Sequence, residues 1–343
     1  MLGLDRRAAR AAWTVFLVAL LLVVTYLLRR VLLIFVLAVL FAYLLHPVVN
    51  LVDRFLPWRR SRAWALAGVY VALIAVLALL GAAVGNQAAH EATELAQRFP
   101  VLLEQVQQAL AAPGPAWLDP VKRQLLEWLR EGSPSLSKVL LPLLERAPAH
   151  LASLLSGALL VILIPVLAFF FLKDGAALRA AVLGAAGARR AVLEDIFNDL
   201  HQLLGRFIRA LVLLAAATLA AYGVFFALMG VPYGLLLASV AGLLEFIPVV
   251  GPATAAVIVL LVAAFSGFGH VWVILAFLAG YRIFQDYVLN PRLMSAGVAL
   301  HPLLVIFGAL AGEQLAGIPG MFLSVPTLAT LRVIWVRARK AVG

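Results

Sequence analysis

Runs of about 20 residues without a charged side chain recur along this sequence, among them VLLIFVLAVLFAYLLHPVVNLV at 31–52 and AWALAGVYVALIAVLALLGAAV at 63–84. A helix rising 1.5 Å per residue needs about that many residues to cross a hydrocarbon layer of about 30 Å. Its backbone must satisfy its own amides there, because lipid offers no hydrogen-bond partner. The runs therefore predict an all-α fold, a polytopic membrane helix bundle. The balance of side chains agrees, since 65% of the residues are hydrophobic and 13% are charged, whereas soluble domains carry about a quarter charged residues.

Candidate spans fall at 11–28, 31–52, 63–84, 151–172, 208–229, 235–265, 270–289 and 301–334, about eight in all. A signal peptide would also explain the first run, but no small-residue cleavage pattern follows it; Arg29 and Arg30 lead straight into the second run. Lys and Arg number 3 before the first span, 4 in the 53–62 loop, 6 over 173–209 and 4 from Arg332 onward, leaving 10 of 27 for the other side. Six of those ten lie in one long loop, which the orientation rule discounts. An even count of spans then puts both termini in the cytoplasm. Arg29 and Arg30 are the misfit, met either by snorkelling or by a shallow hairpin of the first two runs. The net charge of +11 reads as this orientation signal and not as nucleic-acid binding, for which no module motif is present. The absence of cysteine excludes disulfides, thiolate catalysis and Cys-based metal sites.

The chain divides into an N-terminal three-span region, 1–84, a polar insert, 85–150, and a C-terminal core, 151–343. In the insert Leu95, Phe99, Leu102, Leu103, Val106 and Leu110 recur at helical spacing, so the third span is expected to continue outward as an amphipathic helix kinked at Pro100. Proline-rich turns follow at Pro113, Pro115, Pro120, Pro134 and Pro142. The insert reads as an extracytoplasmic helical cap or oligomer contact, or as a solvated loop. A second amphipathic stretch, 190–207, has Ile196, Phe197, Leu200, Leu203, Leu204 and Phe207 on one face and Glu194, Asp195, Asn198, Asp199, His201, Gln202 and Arg206 on the other. It is expected on the cytoplasmic side, against the membrane or the bundle, as a brace joined to the next span.

Two segments, 235–265 and 301–334, are too long for one straight crossing and are interrupted by Gly and Pro. Glu245 precedes Pro248, Gly251 and Pro252 in the first; Glu313 precedes Gly317, Pro319 and Gly320 in the second. They are predicted to be broken helices or re-entrant hairpins, and paired interruptions of this kind point to a transport site near mid-membrane. Proline removes an amide and displaces the carbonyl four residues back, so the carbonyls of Leu244 and Pro248 should leave the ladder and line a cavity. A carboxylate at that depth costs about 2.5–3.5 kcal/mol, so Glu245 should be protonated, hydrated or paired. Arg282 is its expected partner, with Gln285 and Asp286 nearby on one helix face; the pair would serve a proton or ion relay, or fix helix register.

The stretch FQDYVLNPRLMSAGVALHPLL, 284–304, adds Asn290-Pro291 and His301-Pro302. Each proline disfavours helix at the residue before it, so a non-helical linker is expected between the last two spans. His301 is either a titrating group near neutral pH or a capping group.

The motifs EFIPVVGP (245–252), DYVLNPRLM (286–294), LHPL (300–303) and GIPGMFLSVP (317–326) strongly resemble those of the autoinducer-2 exporter family of bacterial membrane proteins, the PerM-like permeases, over about 205–335. The resemblance implies export or exchange of small solutes across the bacterial inner membrane, with autoinducer-2 as the naming substrate, sodium/proton exchange in some relatives, about seven or eight spans and homo-oligomeric assembly. By position Glu245, Pro248, Gly251, Pro252, Asp286, Pro291, His301 and Pro302 match the family pattern. Glu313 departs from it, standing where a small residue is usual, and so do Ser295 and Ala296.

The leading expectation is a gradient-driven transporter of a small polar metabolite, gated at the break 245–252, with the lipid bilayer as its setting and protons or sodium as candidate coupling ions. A monovalent cation/proton antiporter using Glu245 and Asp286, and a non-transporting scaffold, are the alternatives. No phosphate-binding G-x-x-x-x-G-K-[ST] loop is present for ATP drive. HEATE at 90–94 lacks the second histidine of a zinc protease helix, and no serine elbow occurs, so neither an enzyme nor a cofactor is expected.

Overall fold

The computed structural model describes residues 6–55, 62–111, 119–120, 123–124, 126–127, 158–293 and 300–342. These are helical, with no strand among the described residues. Most of the polar insert beyond Ala111, with Pro113, Pro115, Pro134 and Pro142, lies outside them, as do Ser295 and Ala296. By length and composition three helices among the described residues can cross a membrane, Arg190–Met229, Val271–Leu293 and Pro302–Lys340, or up to four if the bent pair Ala12–Leu27 and Val31–His46 counts as one span. The expected count of about eight is larger.

Helix α1 (Arg6–Leu27) runs into α2 (Arg29–Phe55) through a bend of 72°. The two runs do not reverse into a hairpin; Leu28 N–H donates to Val24 and Leu32 N–H to Leu28, both at 2.9 Å, so helical bonding continues through the bend. Arg29 lies over the Tyr26 ring at 4.3 Å, a cation–π contact that eases a charge beside apolar surface. Helix α3 (Arg62–Ala111) is a single helix of 50 residues, about 75 Å long. Helix α4 (Ala158–Ala185) packs Ala168 against Ala42, Leu45 and Tyr70, and the Tyr70 hydroxyl donates to the Pro165 carbonyl at 2.6 Å.

The amphipathic stretch and the fifth apolar run form one helix of 40 residues, α5 (Arg190–Met229), ended by Gly230 in the left-handed conformation. Nothing in the sequence breaks it, because the polar face of the first half gives way to apolar residues without a proline or glycine pair. Helix α5 is the axis around which both interrupted segments are arranged.

The first interrupted segment is a helical hairpin. Its arms are α6 (Gly234–Leu244) and α7 (Val250–Phe265), of 11 and 16 residues, about 16 and 24 Å long and each too short to cross alone. Ala238 and Ala241 of α6 share a core with Ala255, Val259 and Ala263 of α7. Leu236, at the start of α6, packs near Val262, at the end of α7. The arms are therefore antiparallel, with small side chains letting them approach. At the tip a Cβ on Gly251 would fall on the Leu244 carbonyl oxygen, so only glycine closes this turn.

The second segment, α10 (Pro302–Val342), also folds back. Backbone angles leave the helix at Ala316 (φ −149°, ψ 17°) and Gly317 (φ 63°, ψ −145°). A Cβ on Gly308 would meet Leu328 at 2.6 Å, and Gly312 and Gly320 touch backbone to backbone. Residues 308 and 328 would lie about 30 Å apart in a straight helix, so α10 is two antiparallel arms, 302–315 and 318–342, and not one crossing. The G-x-x-x-G spacing of Gly308 and Gly312 thus serves packing within the chain.

The hairpins approach α5 from opposite ends. Arg337, near the end of the second hairpin, binds Asp195 and Asp199 near the start of α5, at 2.9 and 2.7 Å. Leu323 packs with Ile208 just short of halfway along. From the other end, Gly234 lies against Phe226, and Gly242 approaches the Ala215 carbonyl. The tips come together where the Phe246 and Phe322 rings sit 5.9 Å apart. The base of the first hairpin is held by the C-terminal half of α3: Ala88, Ala92 and Leu95 pack on Leu236, and Phe99 meets Phe265 edge to face. Glu91 accepts a hydrogen bond from the Leu236 amide at 2.8 Å, doing from another helix what an N-cap side chain does locally. Tyr233, the residue at the cap position, makes no side-chain cap bond.

Candidate functional site

Glu245 ends α6 at the tip of the first hairpin. The chain there tightens from α-helical bonding, with Phe246 and Ile247 amides donating to Leu243 and Leu244 at 3.2 and 3.0 Å. Pro248 stops it. Val249 then adopts φ 66°, ψ −56°, and the Val250 amide donates back to the Pro248 carbonyl at 2.7 Å. This is a γ-turn of the strained hand, at a β-branched residue that rarely tolerates positive φ; such strain costs about 1–3 kcal/mol and gathers at functional sites. The carbonyls of Leu244 and Pro248, expected to be released, are taken by these short-range bonds. Each keeps one lone pair.

The Glu245 side chain is 8% exposed. One carboxylate oxygen accepts from Thr218 of α5 at 3.1 Å, the other from the amide of Gln285 at 2.9 Å. Gln285 follows α8 (Val271–Phe284) and is 2% exposed. The Thr218 and Tyr281 hydroxyls lie 3.0 Å apart. Thr218 has one proton, so when it donates to Glu245 the Tyr281 hydroxyl donates to Thr218. The result is a buried chain, Tyr281 to Thr218 to Glu245, met from the other side by Gln285. Aromatic rings close around it: Tyr222 and Tyr281 stand 5.4 Å apart, and Phe225 stacks on Phe277 at 3.8 Å.

Thr218 also fixes the depth of the site. It is eight residues past Ala210 and eleven short of Met229, the ends of the uncharged part of α5. At 1.5 Å per residue that is about 12 and 17 Å, close to the middle of a layer of about 30 Å.

The expected partner, Arg282, is not on Glu245. Its Nε donates to Asp286 at 2.9 Å, a pair one helical turn apart and half exposed on both sides. The other Asp286 oxygen accepts from Asn290 at 3.1 Å. Local geometry wins because the i,i+4 pair forms without ordering another element. A second expectation is corrected nearby. Asn290 is helical (φ −59°, ψ −47°), preceded by a π-helical turn, Gln285–Leu289, and followed by α9 (Asn290–Leu293). The wider turn moves the carbonyls away from the Pro291 ring, so the helix continues where a break was expected. Such turns are frequent at functional sites.

His301 sits at the start of α10. Its ring nitrogen accepts from the Leu303 amide at 3.3 Å and its carbonyl accepts from Leu304 at 2.9 Å. It is a cap, followed by Pro302 in the first helical position, where proline is favoured. Glu313 is exposed on the first arm of the second hairpin, away from Glu245, while Gly317 and Gly320 form that hairpin's tip. Pro248, Gly251 and Pro252 shape the first tip. The structure thus joins Glu245 with Gln285, sets Arg282, Asp286 and Asn290 beside them, and leaves His301 and Glu313 apart. Thr218 and Tyr281 were missed, although Thr218 is the sole hydroxyl besides Tyr222 in the uncharged part of α5, which was the signal available.

Several apolar helices, two hairpins, and an ionisable group buried where the first hairpin meets α5 and Gln285 are, among the described residues, the features of a multi-pass membrane protein of the transport class. The model of the AI-2E family transporter matches residues 15–340, and the chain belongs to that family. It is 25% identical over 307 residues to YueF of Bacillus subtilis (strain 168), a candidate transport protein, covering 86% of this chain and 80% of YueF. It is 28% identical to PerM of Escherichia coli (strain K12), a candidate permease, over 79% of this chain and 77% of PerM. Against YrrI of Bacillus subtilis (strain 168), another candidate transport protein, identity is 30% over 56% of this chain, which spans about half of that relative (55%). The names of these relatives are thus those of candidate transport proteins and a candidate permease.

Proposed function

We propose that the chain moves a small polar solute, of the kind for which the family is named, across the bacterial inner membrane, driven by an ion gradient and gated at the tip of the first hairpin, 245–252. The observation that carries this reading is Glu245: a carboxylate at the estimated mid-depth of α5, bonded by Thr218 and Gln285 and by no cation. Interior carboxylates of this kind mark ion and proton paths. The strained turn at Val249 and the aromatic contact of Phe246 with Phe322 fit a closed state in which the two hairpin tips meet. Both termini lie in the cytoplasm in this reading, since folding back both interrupted segments removes two crossings from an even count. Assembly of several copies belongs to the same proposal.

A second reading, monovalent cation/proton antiport, is favoured by the hydroxyl chain. When Glu245 takes a proton it can donate to Thr218 and Thr218 to Tyr281, so the chain reverses without moving a heavy atom. One experiment separates the two. Proteoliposomes with a trapped pH dye receive a sodium pulse under a pH gradient, and metabolite profiles are compared between a deletion strain and its complement. Sodium-dependent collapse of the gradient with unchanged metabolites supports antiport; a metabolite retained in the deletion strain and released on complementation supports solute export. The absence of both responses would refute transport by this site.

A further inference from the structure

Two ladders of side-chain bonds run side by side at the tip of the first hairpin, one residue out of step along the same helix. Gln285 points inward and donates to Glu245. Asp286, the next residue, is 40% exposed and holds Arg282 on one oxygen and Asn290 on the other. An arginine beside a buried carboxylate would be drawn to it, because opposite charges attract strongly where the dielectric is low. Here it is engaged elsewhere.

We propose that Asp286 is a positioning residue: by gripping Arg282 through Nε, with its own second oxygen anchored by Asn290, it keeps the guanidinium from bonding Glu245 and leaves that carboxylate hydrogen-bonded to neutral groups, Thr218 and Gln285. The inference rests on the reading of Glu245 as the group that exchanges a proton or cation. A guanidinium keeps its charge at every physiological pH, and a carboxylate paired with one is held ionised. Such a pair neither takes up a proton nor has a charge to offer a cation. Thr218 and Gln285, with Tyr281 behind, impose no such lock. The π-helical turn contributes by opening at Gln285, where inward and outward ladders part. Losing the outward ladder would therefore stop exchange by letting Arg282 swing to Glu245, not by unfolding the site.

The test is acid-pulse proton flux into proteoliposomes of the full chain, read by trapped pyranine, with each variant's melting temperature as a control for folding. Asp286→Asn is expected to slow flux about tenfold, the effect of a nearby opposite charge of at least one pKa unit. Adding Arg282→Gln to Asp286→Asn is expected to restore flux to within about threefold of the wild type, since coupled neighbours do not add. Asp286→Glu keeps an acceptor for Arg282 and should retain flux even if the asparagine variant folds poorly. A double variant as slow as Asp286→Asn alone, or an Asp286→Asn variant at the wild-type rate, overturns the proposal. Glu245→Gln tells the two claims apart. If it is inactive while the double variant is not rescued, only the positioning role falls; if it runs at the wild-type rate, or the wild type carries no proton flux, the exchanging role of Glu245 falls and takes this inference with it.

Discussion

Gly320→Val is expected to yield no stable, monodisperse protein in detergent. A Cβ at Gly320 lands on the Gly312 carbonyl oxygen and 2.7 Å from its carbon. Both are backbone atoms, so no rotamer change relieves the overlap. The arms of the second hairpin would have to separate, and the contacts of Gly308 with Ser324 and Leu328 would be lost with them. Ordinary overpacking costs about 1–3 kcal/mol. A backbone collision at the narrowest point of a hairpin belongs to the exceptional class above about 4 kcal/mol, a large part of a total stability of about 5–15 kcal/mol. Gly308→Ala is the graded control, because its new methyl meets the end of a leucine side chain, Leu328 Cδ1 at 2.6 Å, which can rotate away. Size-exclusion profiles and melting temperatures of the two variants check the difference. A Gly320→Val protein as stable as Gly308→Ala would mean that α10 does not fold back.

Glu245→Gln is expected to keep the fold and lose proton-linked flux down to the level of protein-free liposomes. The amide has the shape of the carboxylate and can still accept from Gln285. Its NH2 group can donate to Thr218, whose proton then turns to Tyr281. Stability should change by about 1 kcal/mol or less, the net value of a hydrogen bond. The change removes only the ability to gain and lose charge. Glu245→Ala differs instructively: it strands the buried Thr218 and Gln285 groups at about 1–3 kcal/mol each, so melting temperature and flux should fall together. A glutamine variant that transports normally at every pH removes the carboxylate from the mechanism and leaves it a register-fixing role.

The parts of this architecture written in local chemistry were legible beforehand. Pro248, Gly251, Gly317 and Pro319 marked both interruptions, and Glu245 marked the one with chemistry. Whether an interrupted segment crosses or folds back was not legible, because helical periodicity is the same either way. What decides it is contact between residues far apart in a straight helix, Gly312 with Gly320 and Leu236 with Val262. The partner of Glu245 was misassigned for a related reason. Charge favoured Arg282, but an i,i+4 carboxylate, Asp286, was closer at hand, and the π-helical turn rotated Gln285 inward. Asn290 shows the same turn defeating a proline rule. Glu91 lies 145 residues from the Leu236 amide that it caps, a pairing that no local pattern carries.

Water access to the first hairpin tip is the most direct measurement of the central claim, and the lack of cysteine in the chain makes it clean. Val249 is 48% exposed at the tip, while Leu213, in the uncharged part of α5, is 53% exposed on an apolar face. A single cysteine at position 249 should react with a charged, membrane-impermeant thiol reagent in intact proteoliposomes, and one at 213 should not. Position 249 reacting only with a lipid-soluble maleimide, as position 213 is expected to do, would place the tip in lipid and contradict the account.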